Sequence, residues 1–196
     1  MQWTVTYSRK AAKQRQRLPV KIQAIMDALI LEIQTGGPVR GNWKNYSKLS
    51  DLEHHCHLKQ GNPTYVAIWR ELKNEIKIVE LPMQAHTRKP LTETIRFIGP
   101  KAAIERLRKL ALVEGVTETE DSILATTLNP ELETNPGGVY LRGIRHREDL
   151  TQDQLAAQTG IHRRHLSEME NGKRPIGKEN AKKLAKVLNV DYRMFL

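Results

Sequence analysis

Cysteine is nearly absent from this chain, which has one, Cys56, among its 196 residues. A single cysteine excludes an intrachain disulfide framework and fits a reducing compartment. Long apolar runs are also lacking. No stretch approaches the ~18–20 residues that a membrane-spanning helix needs, and the polar start MQWTVTYSRK does not have the form of a signal peptide. We therefore expect a soluble, cytoplasmic protein with no membrane partner.

Charge is abundant but unevenly placed. The net charge is +10, which favours polyanionic partners such as nucleic acids. Residues 114–138 nevertheless contain six acidic residues and no basic ones. This acidic stretch, which also carries Thr, Asn and Pro, predicts a linker or a loosely folded arm. The chain is accordingly divided into residues 1–90, a connecting segment 91–138, and residues 139–196.

The first segment has the pattern of an α+β domain. WTVTY alternates like a strand, Ser8 is placed to cap a helix that ends near Leu18, and Pro19 opens a second helix with regularly spaced apolar residues. A hairpin follows, with strands at 54–60 and 64–72, and EIKIVEL predicts one more strand. We expect two helices packed on one face of an antiparallel sheet.

The hairpin carries an unusual group of histidines in LEHHCHLKQGNPTYVAIW. Side chains alternate along a strand, so His55, His57 and Lys59 share one face and Cys56 lies on the other. Two imidazoles beside an ammonium suit an anion such as phosphate better than a divalent metal. The sequence therefore predicts no metal site and no cofactor. An ordinary surface strand that happens to contain histidines remains the alternative.

Three motifs in order, GPVRGNWKNYSKL, HCHLKQGNPTYVAIW and AHTRKP, resemble a RelE-superfamily toxin of the histidine-using kind over essentially all of residues 1–90. Members of that family dock in the ribosomal decoding site and cut messenger RNA. The chain departs from the family's pattern at two positions. Val66 stands near the place of a strand arginine, and Leu91 stands where an aromatic residue usually closes the domain.

The resemblance implies a catalytic site that consists of His57 and His86 as general acid and base, with Lys59 and Arg88 near the phosphate and His55 beside them. RNA cleavage by 2′-OH attack needs a base, an acid and cations for the charged transition state, and histidine titrates nearest neutrality. Both a working nuclease and a scaffold that has lost its activity remain open.

The last segment carries the strongest pattern in the chain. Thr151 is placed to cap a helix, Gly160 makes a tight turn, and a second helix begins near His162. The pattern LTQ..LA...GI....LS..ENGKR, followed by a helix at 178–188 and a last one from Asp191, resembles an Xre/Cro-type DNA-binding domain. That resemblance implies an all-α, five-helix, lambda-repressor-like fold over residues 139–196.

In such a domain the second helix of the pair enters the major groove of DNA. The candidate DNA-contacting residues are Gln152, His162, Arg163, Arg164, Ser167, Glu168, Asn171, Lys173 and Arg174. Arginine reads guanine bidentately, so we expect a guanine-containing half-site. A solvated basic face is the alternative. We also predict that Arg145 and Glu170 form a buried ion pair.

Between these segments, TIRFI predicts a strand and GPKAAIERLRKLA a helix. From about residue 93 onward the chain resembles the antitoxins that are usually encoded beside RelE-like toxins, so the two halves look fused. The expected function is a homodimeric, operator-binding autorepressor of a type II toxin–antitoxin module. Its mRNA interferase domain would be silenced by the acidic stretch lying against the face of His57 and His86.

Two rival functions remain open. One is an active ribosome-dependent mRNA endonuclease, with the ribosome and messenger RNA as partners, that the helix-turn-helix only regulates. The other is a DNA-binding protein whose N-terminal domain recruits a partner. The acidic stretch could equally be a solvated tether.

Overall fold

The computed structural model describes residues 3–59, 61, 63–72, 75–81, 100–113 and 122–196. The chain forms two compact units, one from Met1–Ala85 together with Ser122–Leu196 and the other from His86–Asp121. The strand expected at 94–98 and the candidate catalytic residues His86 and Arg88 lie outside the described residues.

The helices and strands follow one another along the chain with these bounds. The N-terminal half contains β1 (Thr4–Tyr7), α1 (Arg9–Arg17), α2 (Val20–Gly36), β2 (Ser47–Lys48), β3 (Glu53–Lys59), β4 (Tyr65–Leu72) and β5 (Glu75–Glu80). The second unit contains α3 (Lys101–Val113), which is the helix predicted between the two segments. The C-terminal part contains β6 (Ile123–Leu124), α4 (Ala125–Leu128), α5 (Glu131–Thr134), α6 (Pro136–Arg147), α7 (Gln152–Thr159), α8 (Arg163–Glu170), α9 (Lys178–Leu188) and a closing 3-10 helix (Tyr192–Phe195).

The sheet is mixed, with the strand order β2-β3-β4-β5-β1-β6. Strands β2 to β5 pair antiparallel, whereas β1 pairs parallel to β5, with Val5 opposite Ile76 and Tyr7 opposite Ile78. The expectation of a wholly antiparallel sheet is therefore wrong. Hairpins impose opposite directions on β3, β4 and β5, but a long connection through two helices leaves the direction of β1 free of that constraint.

Helix α1 begins and ends where the sequence predicts. The Ser8 hydroxyl accepts a hydrogen bond of 3.0 Å from the backbone N–H of Ala11, which satisfies one of the free donors of the first turn. The chain leaves the helical conformation at Leu18, immediately before Pro19, and Pro19 caps α2. A residue before proline disfavours the α region, so the break between the two helices is local in origin.

Helix α2 is buried on nearly all sides, from Ile22 to Ile33. A helix that is buried on nearly all sides needs cover on two faces. The sheet covers one face, and α6 covers another. The approach is close enough that a Cβ added at Gly143 would lie 2.3 Å from the carbonyl oxygen of Ala24 and 2.5 Å from the Cβ of Ala28. The N-terminal and helix-turn-helix parts therefore share one core.

Two buried carboxylates of α2 are held by polar partners. Asp27 accepts two hydrogen bonds from one terminal nitrogen of the Arg15 guanidinium, at 2.7 and 2.9 Å. Glu32 accepts from the indole of Trp43 at 2.8 Å and from the hydroxyl of Tyr140 at 2.7 Å. Buried charges are tolerated only when paired or hydrogen-bonded in this way. The Tyr140 bond ties α6 directly to α2.

The described part of the acidic stretch, residues 122–138, is folded. Strand β6 pairs antiparallel with β1, with Ile123 opposite Tyr7, and Asn129 donates a hydrogen bond of 2.8 Å to Asp27. It therefore lies at the edge of the sheet opposite to β2 and β3. The prediction that this part covers the face of His57 is wrong, because β6 instead satisfies the open backbone edge of β1. Residues 114–121 lie outside the described residues.

The C-terminal part has the expected series of helices, and the last of them is a short 3-10 helix. Its first helix starts at Pro136, where the Asn135 side chain accepts from the backbone N–H of Gly138 at 3.2 Å. Among the residues that the structure describes, no helix is both long enough and apolar enough to cross a membrane.

Candidate nucleic-acid interface

The pair of helices α7 and α8 is built by local sequence. Thr151 and Gln154 form a reciprocal capping box at the start of α7, in which the Thr151 hydroxyl accepts from the Gln154 N–H and the Gln154 side chain accepts from the Thr151 N–H. Gly160 ends α7 in the left-handed conformation, with φ of 69°. Glycine adopts this conformation at little cost, so the chain reverses tightly into α8. His162 caps α8, with its Nδ1 accepting from the Arg164 N–H at 3.2 Å.

Helix α8 has one buried face and one outward face. Leu166, Met169 and Glu170 are buried against the neighbouring helices. The outward face is a shallow concave surface that contains most of the predicted DNA-contacting residues. They are His162, Arg163, Arg164, Ser167, Glu168, Asn171 and Lys173. We call these seven residues the recognition face.

The orientation of α8 is held by the ion pair that the sequence predicts. Arg145 donates from Nε and Nη2 to the two carboxylate oxygens of Glu170, at 2.6 and 2.9 Å, and both residues are buried. This prediction is confirmed. Gln152, expected near phosphate or a base, donates to the same carboxylate at 2.9 Å, so α6, α7 and α8 meet at Glu170.

Glu168 holds two of the candidate arginines. Arg164 donates from Nε to one carboxylate oxygen at 2.9 Å, and Arg174 donates from Nε to the other at 2.8 Å. These hydrogen bonds lower the pKa of the Glu168 carboxyl, the bond from Arg174 most strongly. Because only the Nε atoms are used, the terminal nitrogens of both guanidinium groups are not consumed by Glu168. The Glu168 carboxylate thus orients the side chains of Arg164 and Arg174 on the outward side of α8.

The remaining candidates are more loosely placed. Arg163 lies 3.3 Å from the carboxylate of Asp153, and the side chains are 62% and 75% exposed. Exposed pairs of this kind contribute little to stability, so Arg163 can exchange this partner for another anion. Asn171 donates to the backbone carbonyl of Ser167 at 2.7 Å. The role of Asp153 had no signal in the sequence, because its pairing depends on how α7 and α8 cross.

The histidine strand of the N-terminal half alternates as predicted. His55 and His57 are half-buried on one face, with ring centroids 6.2 Å apart, whereas Cys56 is buried on the other. Asn45 donates to Nδ1 of His57 at 3.1 Å. Burial, and secondarily the charge of His55, lower the pKa of His57 and favour its neutral form. Lys59 pairs with Asp149, in the turn that follows α6.

The buried face of this strand offers no reactive group. His54 shares a hydrogen bond of 2.9 Å between its Nδ1 and the Tyr46 hydroxyl, and its ring stacks on Trp69. Burial strongly raises the pKa of the Cys56 thiol, which keeps it protonated and unreactive. No cluster of potential metal ligands occurs within the described parts of the chain.

The C-terminal part of the chain is similar to known helix-turn-helix proteins. The model of the HTH_3 helix-turn-helix family matches residues 141–195. An uncharacterized HTH-type transcriptional regulator of Bacillus subtilis (strain 168), RghRB, is 46% identical over 59 residues, which are 30% of this chain and 42% of that protein. The chain thus spans less than half the length of this curated relative.

Among solved structures, the chain matches that of the restriction-modification controller protein C.AhdI from Aeromonas hydrophila. It is 30% identical and covers 33% of this chain and 97% of that one, with a TM-score of 0.31. Residues 141–195 thus match the model of the HTH_3 family, and α6 to α9 have the order of helices and the tight turn of a helix-turn-helix domain.

Proposed function

We propose that this protein is a sequence-specific DNA-binding regulator of transcription. The observation that carries the proposal is the recognition face, where outward arginines stand on a helix whose other side is locked by Arg145 and Glu170. A helix so fixed can enter a major groove and place its N-terminal residues on base edges. The net charge of +10 supports attraction to the DNA backbone. The Bacillus relative, by its name, is a transcriptional regulator.

Arg163 and Lys173 have different roles in this proposal. Arg163 lies at the N-terminal end of α8, where side chains reach the DNA bases. Lys173 follows the C-terminal end of the helix, where we expect the sugar-phosphate backbone of the DNA to pass. Arg163→Ala should therefore relax the preference at one base pair, at a cost of ~1–3 kcal/mol. Lys173→Ala should weaken binding to all sequences alike and reduce the salt dependence.

The test is selection of bound duplexes from a random library by the full chain, followed by titration of the selected duplex and of scrambled controls. A selected motif that Arg163→Ala blurs, while Lys173→Ala leaves it intact, supports sequence readout. If no motif emerges and binding is equal for every duplex, the chain is not a sequence-specific regulator.

The finer proposal is autorepression by a homodimer within a type II toxin–antitoxin module. Two recognition helices placed one turn of DNA apart, ~34 Å, are the usual way for a small helix-turn-helix protein to gain affinity. We expect a palindromic operator in the promoter of the protein's own gene. Footprinting on that promoter should protect two half-sites, and protection of a single non-palindromic half-site would contradict the dimer.

A second proposal concerns the N-terminal half, as a silenced RelE-like mRNA interferase domain. The observations in its favour are His55 and His57 on one face of β3 and the engagement of Lys59 by Asp149. A lysine that is paired with a carboxylate is less available to a phosphate. The catalytic assignments of His86 and Arg88 remain predictions, since both lie outside the described residues.

Growth measurements separate this proposal from its rival. The wild-type chain should leave growth unaffected, whereas Asp149→Ala, which releases Lys59, should cause growth arrest that disappears when His57→Ala is added. Arrest by the wild-type chain would favour an active, ribosome-dependent endonuclease instead. If neither the wild-type chain nor Asp149→Ala arrests growth, the N-terminal half is better described as a scaffold without nuclease activity.

A further inference from the structure

Lys21, at the start of α2 in the N-terminal half, lies beside the DNA-binding part of the helix-turn-helix domain. It lines a shallow surface depression together with His146 from the end of α6, Gln152 from the start of α7, and Arg163 from the start of α8. We call this surface the junction depression. Gln152 and Arg163 are both candidate DNA contacts, so Lys21 shares their surface although it is more than 100 residues away in the chain.

The placement of Lys21 follows from how α2 and α6 pack. The first turn of α2 lies near the end of α6, where Lys21 and His146 line the same depression. The middle of α2 contacts Gly143, and Glu32, nearer its end, accepts from Tyr140. The two helices are thus antiparallel, and the beginning of α2 lies at the end of α6 that leads into α7. The close approach at Gly143 holds this arrangement.

The charges around the junction depression leave Lys21 available for an anion. Lys21 is exposed and forms no ion pair with any residue that the structure describes. The two carboxylates in the depression already have cationic partners, because Asp149 pairs with Lys59 and Asp153 pairs with Arg163. Helix α7 also begins here, and its N-terminal end favours negative charge.

His146 also lines the junction depression. Burial is the main cause that lowers the pKa of His146 to about 4. The charge of Arg145 acts in the same direction, Glu170 opposes it, and Lys21 adds a smaller lowering effect. Three cationic side chains, Lys21, Arg145 and Arg163, line this depression, and its two carboxylates are both paired. Such a surface attracts an approaching phosphate.

We infer that Lys21 binds a backbone phosphate of the same DNA duplex that the recognition face reads, so that the DNA-binding surface extends across both halves of the chain. This inference rests on the proposed DNA-binding function. The N-terminal half then contributes directly to DNA affinity, and it does so without sequence preference, because a lysine ammonium recognises phosphate as a point charge.

The test compares Lys21→Ala with Lys10→Ala in the full chain. Lys10 lies in the first turn of α1, at the end away from the junction with α2, where it pairs with Glu80. Both variants remove one positive charge, so long-range electrostatics change similarly. The probe is a random-sequence duplex of about 30 base pairs, roughly three turns of DNA. Its Kd is measured over a series of salt concentrations.

Lys21→Ala should raise Kd several-fold and make the plot of log K against log salt less steep by about 0.9, the loss of one phosphate contact. Lys10→Ala should follow the wild type closely. If wild type binds the duplex and the two variants are indistinguishable, the inference about Lys21 is overturned while the proposed function stands. If the wild-type chain binds no duplex at all, both are overturned.

Discussion

Replacement of Glu170 by alanine should destabilise the chain strongly, because it removes the carboxylate from a buried pair and leaves its cation behind. Arg145 is 7% exposed and would lose hydrogen bonds of 2.6 and 2.9 Å, keeping only the bond of 2.9 Å to the carbonyl of Leu150. Gln152 would lose its partner as well. Breaking one side of a buried ion pair costs ~3–5 kcal/mol. Since a chain of this size loses about 2–4 °C per kcal/mol, Tm should fall by roughly 6–20 °C.

Thermal and urea unfolding of the full chain, followed by circular dichroism, measure this change. The matched control is Glu179→Ala, in which an 84% exposed carboxylate loses a loose contact of 3.8 Å to Lys182. That change should stay within about 0.5 kcal/mol of the wild type.

A double variant, Arg145→Met with Glu170→Leu, separates the loss of a pair from the burial of a lone charge. It should recover most of the stability that Glu170→Ala loses, because no uncompensated charge remains in the core. The reasoning would be refuted if Glu170→Ala unfolded within about 1 kcal/mol of the control, which is the surface-like range. A double variant as unstable as the single one would also contradict it.

Two further predictions concern the contact between the halves. Gly143→Ala should destabilise the chain by ~1–3 kcal/mol despite the better helix propensity of alanine, because the new methyl group meets the carbonyl oxygen of Ala24. The control in thermal unfolding is Gly41→Ala, where no atom lies within 4 Å of the added methyl group. Equal melting temperatures of the two variants would contradict the close packing at Gly143. His146 has a folded pKa of about 4, below its ordinary 6.5, so the unfolded chain binds more protons between these values and the free energy of unfolding should fall as the pH drops from about 6.5 to 4. His146→Gln should flatten that part of the stability–pH curve, and an unchanged slope would remove His146 as a cause.

The helix-turn-helix domain could be predicted from sequence almost completely, because its signals are local. A threonine three residues before a glutamine, a glycine at a tight turn and apolar residues at helical spacing act within one or two turns of chain. The pairing of Arg145 with Glu170 also followed, since both positions face inward on neighbouring helices. The alternation of His55, His57 and Cys56 depends only on the two-residue period of a strand.

The tertiary structure decided how these parts are joined. The parallel pairing of β1 with β5 and the addition of β6 at the edge depend on partners far apart in the chain, which hydrophobic period does not identify. The bridging of Arg164 and Arg174 by Glu168 needs the loop after α8 to fold back.

Helix α2 shows the division most clearly. Its regularly spaced apolar residues predict one buried side, but the fold adds α6 as a second cover, so that the helix is buried on nearly all sides. That packing brings Lys21 next to Gln152 and Arg163. Sequence periodicity states which side of an element is buried, whereas the partner that buries it is selected by shape and close contact across long separations in the chain.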